Sequence, residues 1–248
     1  MSLVLPTQEE LKELYWEEKL SQREIGDRYG LGDATISDLM MKHKIPVRSI
    51  SARRRKRVML TTTPNLAYIL GVMKGDGYVS NAPKWRIYQI VLNNTSTELC
   101  NHFAEALRLI GLRSHFWLVQ KAKGNSKDLF RVASASQEFV LWYKHLSFYE
   151  LKKLLMKAEM AIPFLRRFYE AEGCYYAKTK TCSISNSNIT LIHLVHFLLK
   201  RLRIANGLYH CKRLGRERIE YQIFMNAKES SNFLHIINPC IKIPLGVP

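Results

Sequence analysis

The sequence predicts an α+β fold in which one αββαββα unit occurs twice in pseudo-symmetry, behind a small all-helical segment. Three observations carry this expectation. Two helical runs that end small–acid–glycine place their acids at Asp76 and Glu172, 96 residues apart. The pattern of elements after each run repeats, and the charge changes sign after the first 50 residues. With 248 residues, 47% hydrophobic and 10% aromatic, the chain can bury a sizeable core, which excludes wholesale disorder.

Thirty-eight Lys and Arg face 21 Asp and Glu, a formal charge of +17. Such an excess opposes compaction and points to a polyanionic partner, nucleic acid first. Residues 1–50 carry 7 basic and 9 acidic residues, net −2, whereas 51–80 carry 6 against 1, net +5. Residues 81–158 and 159–248 are each net +7, so the positive field belongs to the body of the chain. No apolar run reaches the ~18–20 residues needed to cross a bilayer, and the start is unlike a secretory leader, with Glu9 and Glu10 close behind Pro6. Five cysteines without a CxxC pair read as small buried hydrophobes in a reducing cytoplasm of prokaryotic type, against a disulfide framework or a zinc knuckle. The expected organisation is a helical module over 1–50, a basic linker over 51–63, a first half over 64–145, a linker over 146–158 and a second half over 159–248.

In the first segment, Thr7 caps a helix to residue 18, with Glu10 three positions on. Ser21 with Glu24 opens a second helix, which stops at Gly30, and Asp33 caps a third that carries Ile36, Leu39 and Met40 and ends near Lys44. Gly26 in the first helix of the pair and Gly30 in the turn are what a helix-turn-helix requires, one for close approach and one for left-handed backbone. That geometry turns Ala34, Ser37, Asp38 and Met41 toward a major groove and puts Arg23, Lys42 and Arg48 near phosphates. The net −2 and the acidic stripe Glu9, Glu13, Glu17 leave protein contact as the alternative. Next comes Arg53-Arg54-Arg55-Lys56-Arg57, a run expected to track the phosphate backbone or enter the minor groove.

The repeat sets Ile69-Leu70-Gly71-Val72-Met73-Lys74-Gly75-Asp76-Gly77 beside Leu165-Arg166-Arg167-Phe168-Tyr169-Glu170-Ala171-Glu172-Gly173. Pro64 and Pro163 are expected in the first helical turns. Strands follow at 86–92, 115–121 and 129–134 in the first half, and at 181–184, 207–212 and 217–225 in the second. Helices enter after Asn93-Asn94 and after Ser185-Asn186, and shorter ones close each half over 137–145 and 228–237. A helix C-terminus carries roughly half a negative charge, so a carboxylate there costs ~0.3–1 kcal/mol. Two such acids at matching points of a repeat imply that a cation is expected. Ala67, Gly71 and Gly75 recur every fourth residue, a face without bulk along which two helices can pack closely. Such packing would bring Asp76 and Glu172 together, where they repel unless protonated or bridged by a divalent metal.

These runs resemble the paired motifs of the LAGLIDADG homing endonucleases in their single-chain form, over about residues 64–248, and the segment ahead resembles helix-turn-helix modules fused to such enzymes. The resemblance implies a monomeric, site-specific double-strand DNA endonuclease in which Asp76 and Glu172 are catalytic and hold Mg2+. Mn2+ is an expected substitute, and Ca2+ is expected to bind without supporting cleavage. Asn93, Asn94, Ser185 and Asn186, at the strand–helix junctions, are the candidates for ordering water. Arg167 departs from the pattern, standing where the family usually has glycine, and Lys74 and Glu170 occupy a usually acidic, non-ligating place. Relatives that have lost the acids act as transcription regulators and others assist RNA splicing, so a non-cleaving DNA-binding regulator and an RNA maturase are the alternatives.

Over 218–223 polar and apolar residues alternate, which puts Arg218, Glu220 and Gln222 on one strand face and Ile219, Tyr221 and Ile223 toward the core. Arg and Gln pair bidentately with guanine and adenine edges. Arg86, Lys121, Arg131, Lys178, Lys180 and Lys212 are further candidates for a DNA-facing surface. His193 and His196, three apart among apolar residues, read as packing or surface residues.

Overall fold

The computed structural model describes residues 5–47, 58–124, 126–212 and 219–242, without the side chains of Cys211 and Lys212. Arg48, Arg53, Arg54, Arg55 and Arg218 lie outside them. The chain folds as two units, Met1–Arg57 and Val58–Pro248.

The first unit contains α1 (Gln8–Lys12), a π-helical continuation Glu13–Glu17, α2 (Gln22–Tyr29) and α3 (Asp33–Lys42). Both expected capping boxes form: Thr7 with Glu10 and Ser21 with Glu24 each exchange side-chain and backbone hydrogen bonds. Gly30 ends α2 in left-handed backbone, φ 67°. Gly26 is required by the turn itself, because an added Cβ would sit 2.4 Å from the Leu31 carbonyl oxygen. The cap of α3 differs from expectation. Gly32 is the N-cap and Asp33 the first helical residue, where its carboxylate accepts from the Ala34 N–H. Leu11, Leu14, Tyr15, Ile25, Ile36, Met40 and Ile45 make the core of this unit.

The second unit is a duplication. Its first half runs α4 (Pro64–Lys74), β1 (Gly77–Ala82), β2 (Ile87–Asn94), α5 (Thr97–Leu109), β3 (Ser114–Gln120), β4 (Leu129–Ala135) and α6 (Gln137–His145). Then α7 (Phe148–Leu154) leads into α8 (Ala158–Glu172), β5 (Gly173–Tyr176), β6 (Thr181–Asn186), α9 (Ile189–Arg201), β7 (Gly207–Lys212), β8 (Ile219–Met225) and α10 (Ala227–Ile237). Each half builds one antiparallel four-stranded sheet, in the orders β1-β2-β4-β3 and β5-β6-β8-β7. Helices cover one face of each sheet, and Ile90, Leu92 and Val132 in the first half answer Cys182, Ile184 and Ile223 in the second as core residues.

Four local expectations need correction. The segment 146–158, read as a linker, holds α7, with a Ser147/Glu150 capping box and Leu151 buried in the core. Pro163 does not open its helix: α8 starts at Ala158 and carries Pro163 inside, where its ring nitrogen has no hydrogen to donate to the Glu159 carbonyl one turn back. Arg86 is not in a strand but in the turn before β2, at φ 52°. Ile219 is 48% exposed, since β8 begins beyond the cover of the helices, while Ile223 and Met225 further along are fully buried.

Candidate active site at the paired helix ends

Helices α4 and α8 pack along the face that lacks bulk. A Cβ on Gly71 would lie 2.7 Å from the Phe164 carbonyl oxygen and 3.0 Å from the Arg167 Cβ, and one on Gly75 would lie 2.4 Å from the Ala171 Cβ. No real Cβ tolerates such distances, so these glycines set the spacing of the pair. Gly71 and Arg167 occupy equivalent places in the repeat, and Gly75 is equivalent to Ala171. Arg167 therefore does not open the interface: the glycine opposite makes room for its stem. The guanidinium, fully buried, runs to the end of α4, where Nη2 donates to Asp76 Oδ2 at 3.1 Å.

Asp76 lies two residues past α4, beyond Gly75, whereas Glu172 is the last residue of α8. The two acids are near enough to feel each other. Burial, and next the charge of Asp76, push the Glu172 carboxyl above its ordinary range. A hydrogen bond from Asn186 and the charge of Lys242 pull the other way, and Glu220 adds to the rise. Each acid has its own asparagine from the adjoining strand end. Asn94 Nδ2 donates to Asp76 Oδ2 at 3.3 Å, and Asn186 bonds Glu172. The strand registers make these asparagines equivalent, because Gly77 pairs with Leu92 and Gly173 with Ile184, two residues before each. Of the other two water-ordering candidates, Asn93 accepts from Arg131 at 2.8 Å and Ser185 pairs in register with Gln222.

Lys242, which no local pattern in the sequence marks, joins the site from after α10. Its Nζ donates to the carbonyls of Ala171 at 2.9 Å and Gly173 at 2.7 Å, capping α8 where the helix dipole favours a cation. Burial lowers its pKa, opposed by Asp76 and Glu172. The cation expected at the two helix ends is thus partly supplied by the chain, by Arg167 on one side and Lys242 on the other. Lys74 turns away, its Nζ 4.7 Å from the Tyr143 ring centroid, with a pKa lowered by burial.

The open faces of the two sheets carry matching rows. Asn93, Arg131 and Trp117 lie directly opposite one another across β2, β4 and β3. Ser185, Gln222 and Tyr209 do so across β6, β8 and β7, and the registers place them at equivalent positions. Arg131 is held between Asn93 and the Trp117 ring, its Cζ 5.9 Å from the centroid. Lys178 and Lys180 are exposed in the β5–β6 turn, and Lys121 is exposed just past β3. Lys212 ends β7, opposite Ile219. Glu220 belongs to the surroundings of Glu172 rather than to the row of Gln222. In the first unit Arg23, Ala34, Asp38, Met41 and Lys42 are exposed and Ser37 is partly so.

Comparison with known proteins agrees with this architecture. Residues 63–146 and 159–238 each match the LAGLIDADG-like domain. Two uncharacterized proteins of Methanocaldococcus jannaschii are similar in sequence. MJ0314 is 29% identical over 197 residues, 75% of this chain and 73% of its own length. MJ0398 is 26% identical over 166 residues, 66% of this chain and 58% of its own length. Among solved structures, the homing endonuclease I-DmoI in complex with DNA and Mn superposes with a TM-score of 0.55 at 19% identity, over 71% of this chain and 97% of its own. The N-terminal LAGLIDADG domain of DUF199/WhiA gives 0.52 at 14% identity, over 76% and 86%. With the repeat, the two matching sheets and the glycine-spaced helix pair all falling within the matched residues, the chain belongs to the LAGLIDADG-like domain family, in its two-copy, single-chain form.

Proposed function

We propose that this protein is a site-specific DNA endonuclease that hydrolyses phosphodiesters at Asp76 and Glu172. One observation carries the reading: two carboxylates from opposite halves stand at equivalent ends of the closely packed helices α4 and α8, each beside the equivalent asparagine of its own sheet. Like charges held together in this way favour a cation between them. The donor set of two carboxylates flanked by two side-chain amides suits a hard divalent ion, Mg2+ or Mn2+, with Ca2+ as a non-productive occupant. When bound, such an ion supplies Lewis-acid polarisation of the scissile phosphate.

The chain's own residues do the rest. Asn94 and Asn186 orient the two carboxylates. Arg167 anchors Asp76 through its ion pair, and Lys242 offsets the charge of Glu172. The rows through Arg131 and Gln222 supply guanine- and adenine-reading side chains on open sheet faces. The α2–α3 pair acts as a helix-turn-helix, with α3 offered to the major groove and Arg23 and Lys42 to phosphates. Because one chain contains both acids, a monomer is sufficient.

A second reading, a DNA-binding regulator without cleavage, is favoured by the Arg167–Asp76 ion pair, which already neutralises one acid. Incubation with Mg2+ and a library of random double-stranded inserts separates the two. Discrete linear products that disappear in Glu172→Gln support the nuclease. A retarded band with no product in any divalent metal supports the regulator, and preference for structured RNA over DNA would support the maturase instead.

A further inference from the structure

Away from the acid pair, three side chains of metal-ligating type converge from distant parts of the second unit. Glu98 and His102 stand one turn apart on α5, and Cys240 follows α10, which Asn238 ends in left-handed backbone at φ 43°. One ligand atom from each lies within 4.8 Å of the other two. Glu98 and His102 are exposed and Cys240 is partly so, which leaves the cluster open to solution. Cys240 is also held in place from the α8 side. Glu170 on α8 is only 2% exposed, and its Oε1 accepts from both the Cys240 N–H at 2.8 Å and the Cys240 Sγ at 3.1 Å. Its other oxygen, Oε2, is buried with no hydrogen-bond partner among the described residues.

The geometry points to a transition-metal site of the Zn2+ class formed by Glu98, His102 and Cys240, with Glu170 behind the sulfur. Tetrahedral zinc, with bonds of roughly 2.0–2.3 Å, holds its ligands about 3.3–3.8 Å apart. The present separations therefore need a closure of about an ångström, within reach of two exposed side chains on one helix face. A thiolate, an imidazole and a carboxylate together select a borderline-soft ion over Mg2+ or Ca2+, and a water completes the fourth position. On binding, the thiol proton leaves to solvent and the metal takes its place on Sγ. Glu170 then keeps the Cys240 backbone N–H bond, which holds the residue that carries the sulfur in place.

Cys240 stands two residues before Lys242, so the metal would pin the segment that caps α8 onto α5, joining the two halves at the edge of the acid pair. The site stands whether or not that pair cleaves DNA. The test is titration of the chelator-stripped, full-length protein with Co2+, followed by Zn2+ competition. The near-ultraviolet thiolate-to-cobalt absorption, which a carboxylate site does not give, is expected to saturate at one Co2+ per chain and to be removed by Zn2+. Cys240→Ser, His102→Ala and Glu98→Gln should abolish that band, and Glu172→Gln should leave it intact. Absence of the band at saturating Co2+, its survival in His102→Ala or Cys240→Ser, or its loss in Glu172→Gln alone would each overturn the assignment.

Discussion

Arg167 and Asp76 meet across the helix pair with Nη2 3.1 Å from Oδ2, the guanidinium wholly buried and the carboxylate 36% exposed. The pair joins the two copies of the repeat through their least similar position. Nε and Nη1 of Arg167 have no partner among the described residues, so Asp76 is the compensation for a buried charge. Removing the carboxylate strands that charge, whereas removing the arginine leaves only a surface acid. Asp76→Asn should therefore destabilise the fold by about 1–3 kcal/mol, below the 3–5 of a fully buried pair because Asp76 reaches solvent. Arg167→Met should cost less than about 1 kcal/mol, and the double variant should behave like Arg167→Met. Denaturant melts of the three proteins check the cycle. It also makes Glu172→Gln the cleaner probe of chemistry.

Spacing of the helices rests on Gly71 and Gly75. Alanine at Gly71 forces the new methyl against the Phe164 carbonyl, a backbone atom that cannot swing aside. A loss of about 1–3 kcal/mol is expected, as for other overpacked contacts, with a matching fall in any cleavage because the acids move apart. Gly30→Ala, at a turn with open space around it, is the comparison. It should show only the cost of left-handed backbone, about 1 kcal/mol.

Lys242 lowers the Glu172 pKa, against burial and Asp76, which raise it. Lys242→Met removes a lowering cause, so the carboxyl should ionise at higher pH than in the parent. If ionised Glu172 limits turnover on the acid side, that limb of the pH–rate profile moves to higher pH. An unmoved limb alongside reduced stability would restrict Lys242 to capping α8, worth about 0.3–1 kcal/mol.

Gln222→Ala and Arg131→Ala test the two rows. Each should weaken specific DNA binding by about 1–3 kcal/mol and relax preference at one base pair, read by competition with singly substituted sites. Lys178→Ala, in the exposed β5–β6 turn, should weaken all sequences alike and reduce the salt dependence.

What the sequence disclosed follows from the range of each signal. Helix and strand boundaries were legible where capping and alternation are local: Thr7 and Ser21 cap α1 and α2, and the runs 129–134 and 207–212 fall within β4 and β7. The duplication was legible because a repeat of acids before glycine needs no contact map. Ser147 with Glu150 carried the same capping signature but sat where a linker was expected. Pro163 misled because a proline near a helix start has two places to stand, and the extra turn of Ala158 to Ile162 has no side-chain cap to announce it. Lys242, Glu98, His102 and Cys240 had no local signal. They become neighbours only when residues 238–242 return across α8, and cysteine spacing is silent about a site drawn from one thiol and one helix with 137 residues between His102 and Cys240. The exposed Cys174 and partly exposed Cys240 depart from the expectation that every cysteine is buried for the same reason.

Unequal residues at the centre of the repeat bear on how this chain can evolve. Two copies of the first half would set Gly71 against Gly71 and leave a void where the arginine stem now lies. Two copies of the second would bury guanidinium against guanidinium. The second half is therefore unable to pair with itself at that seam, and the two halves are matched to each other: the arginine of one needs the glycine of the other.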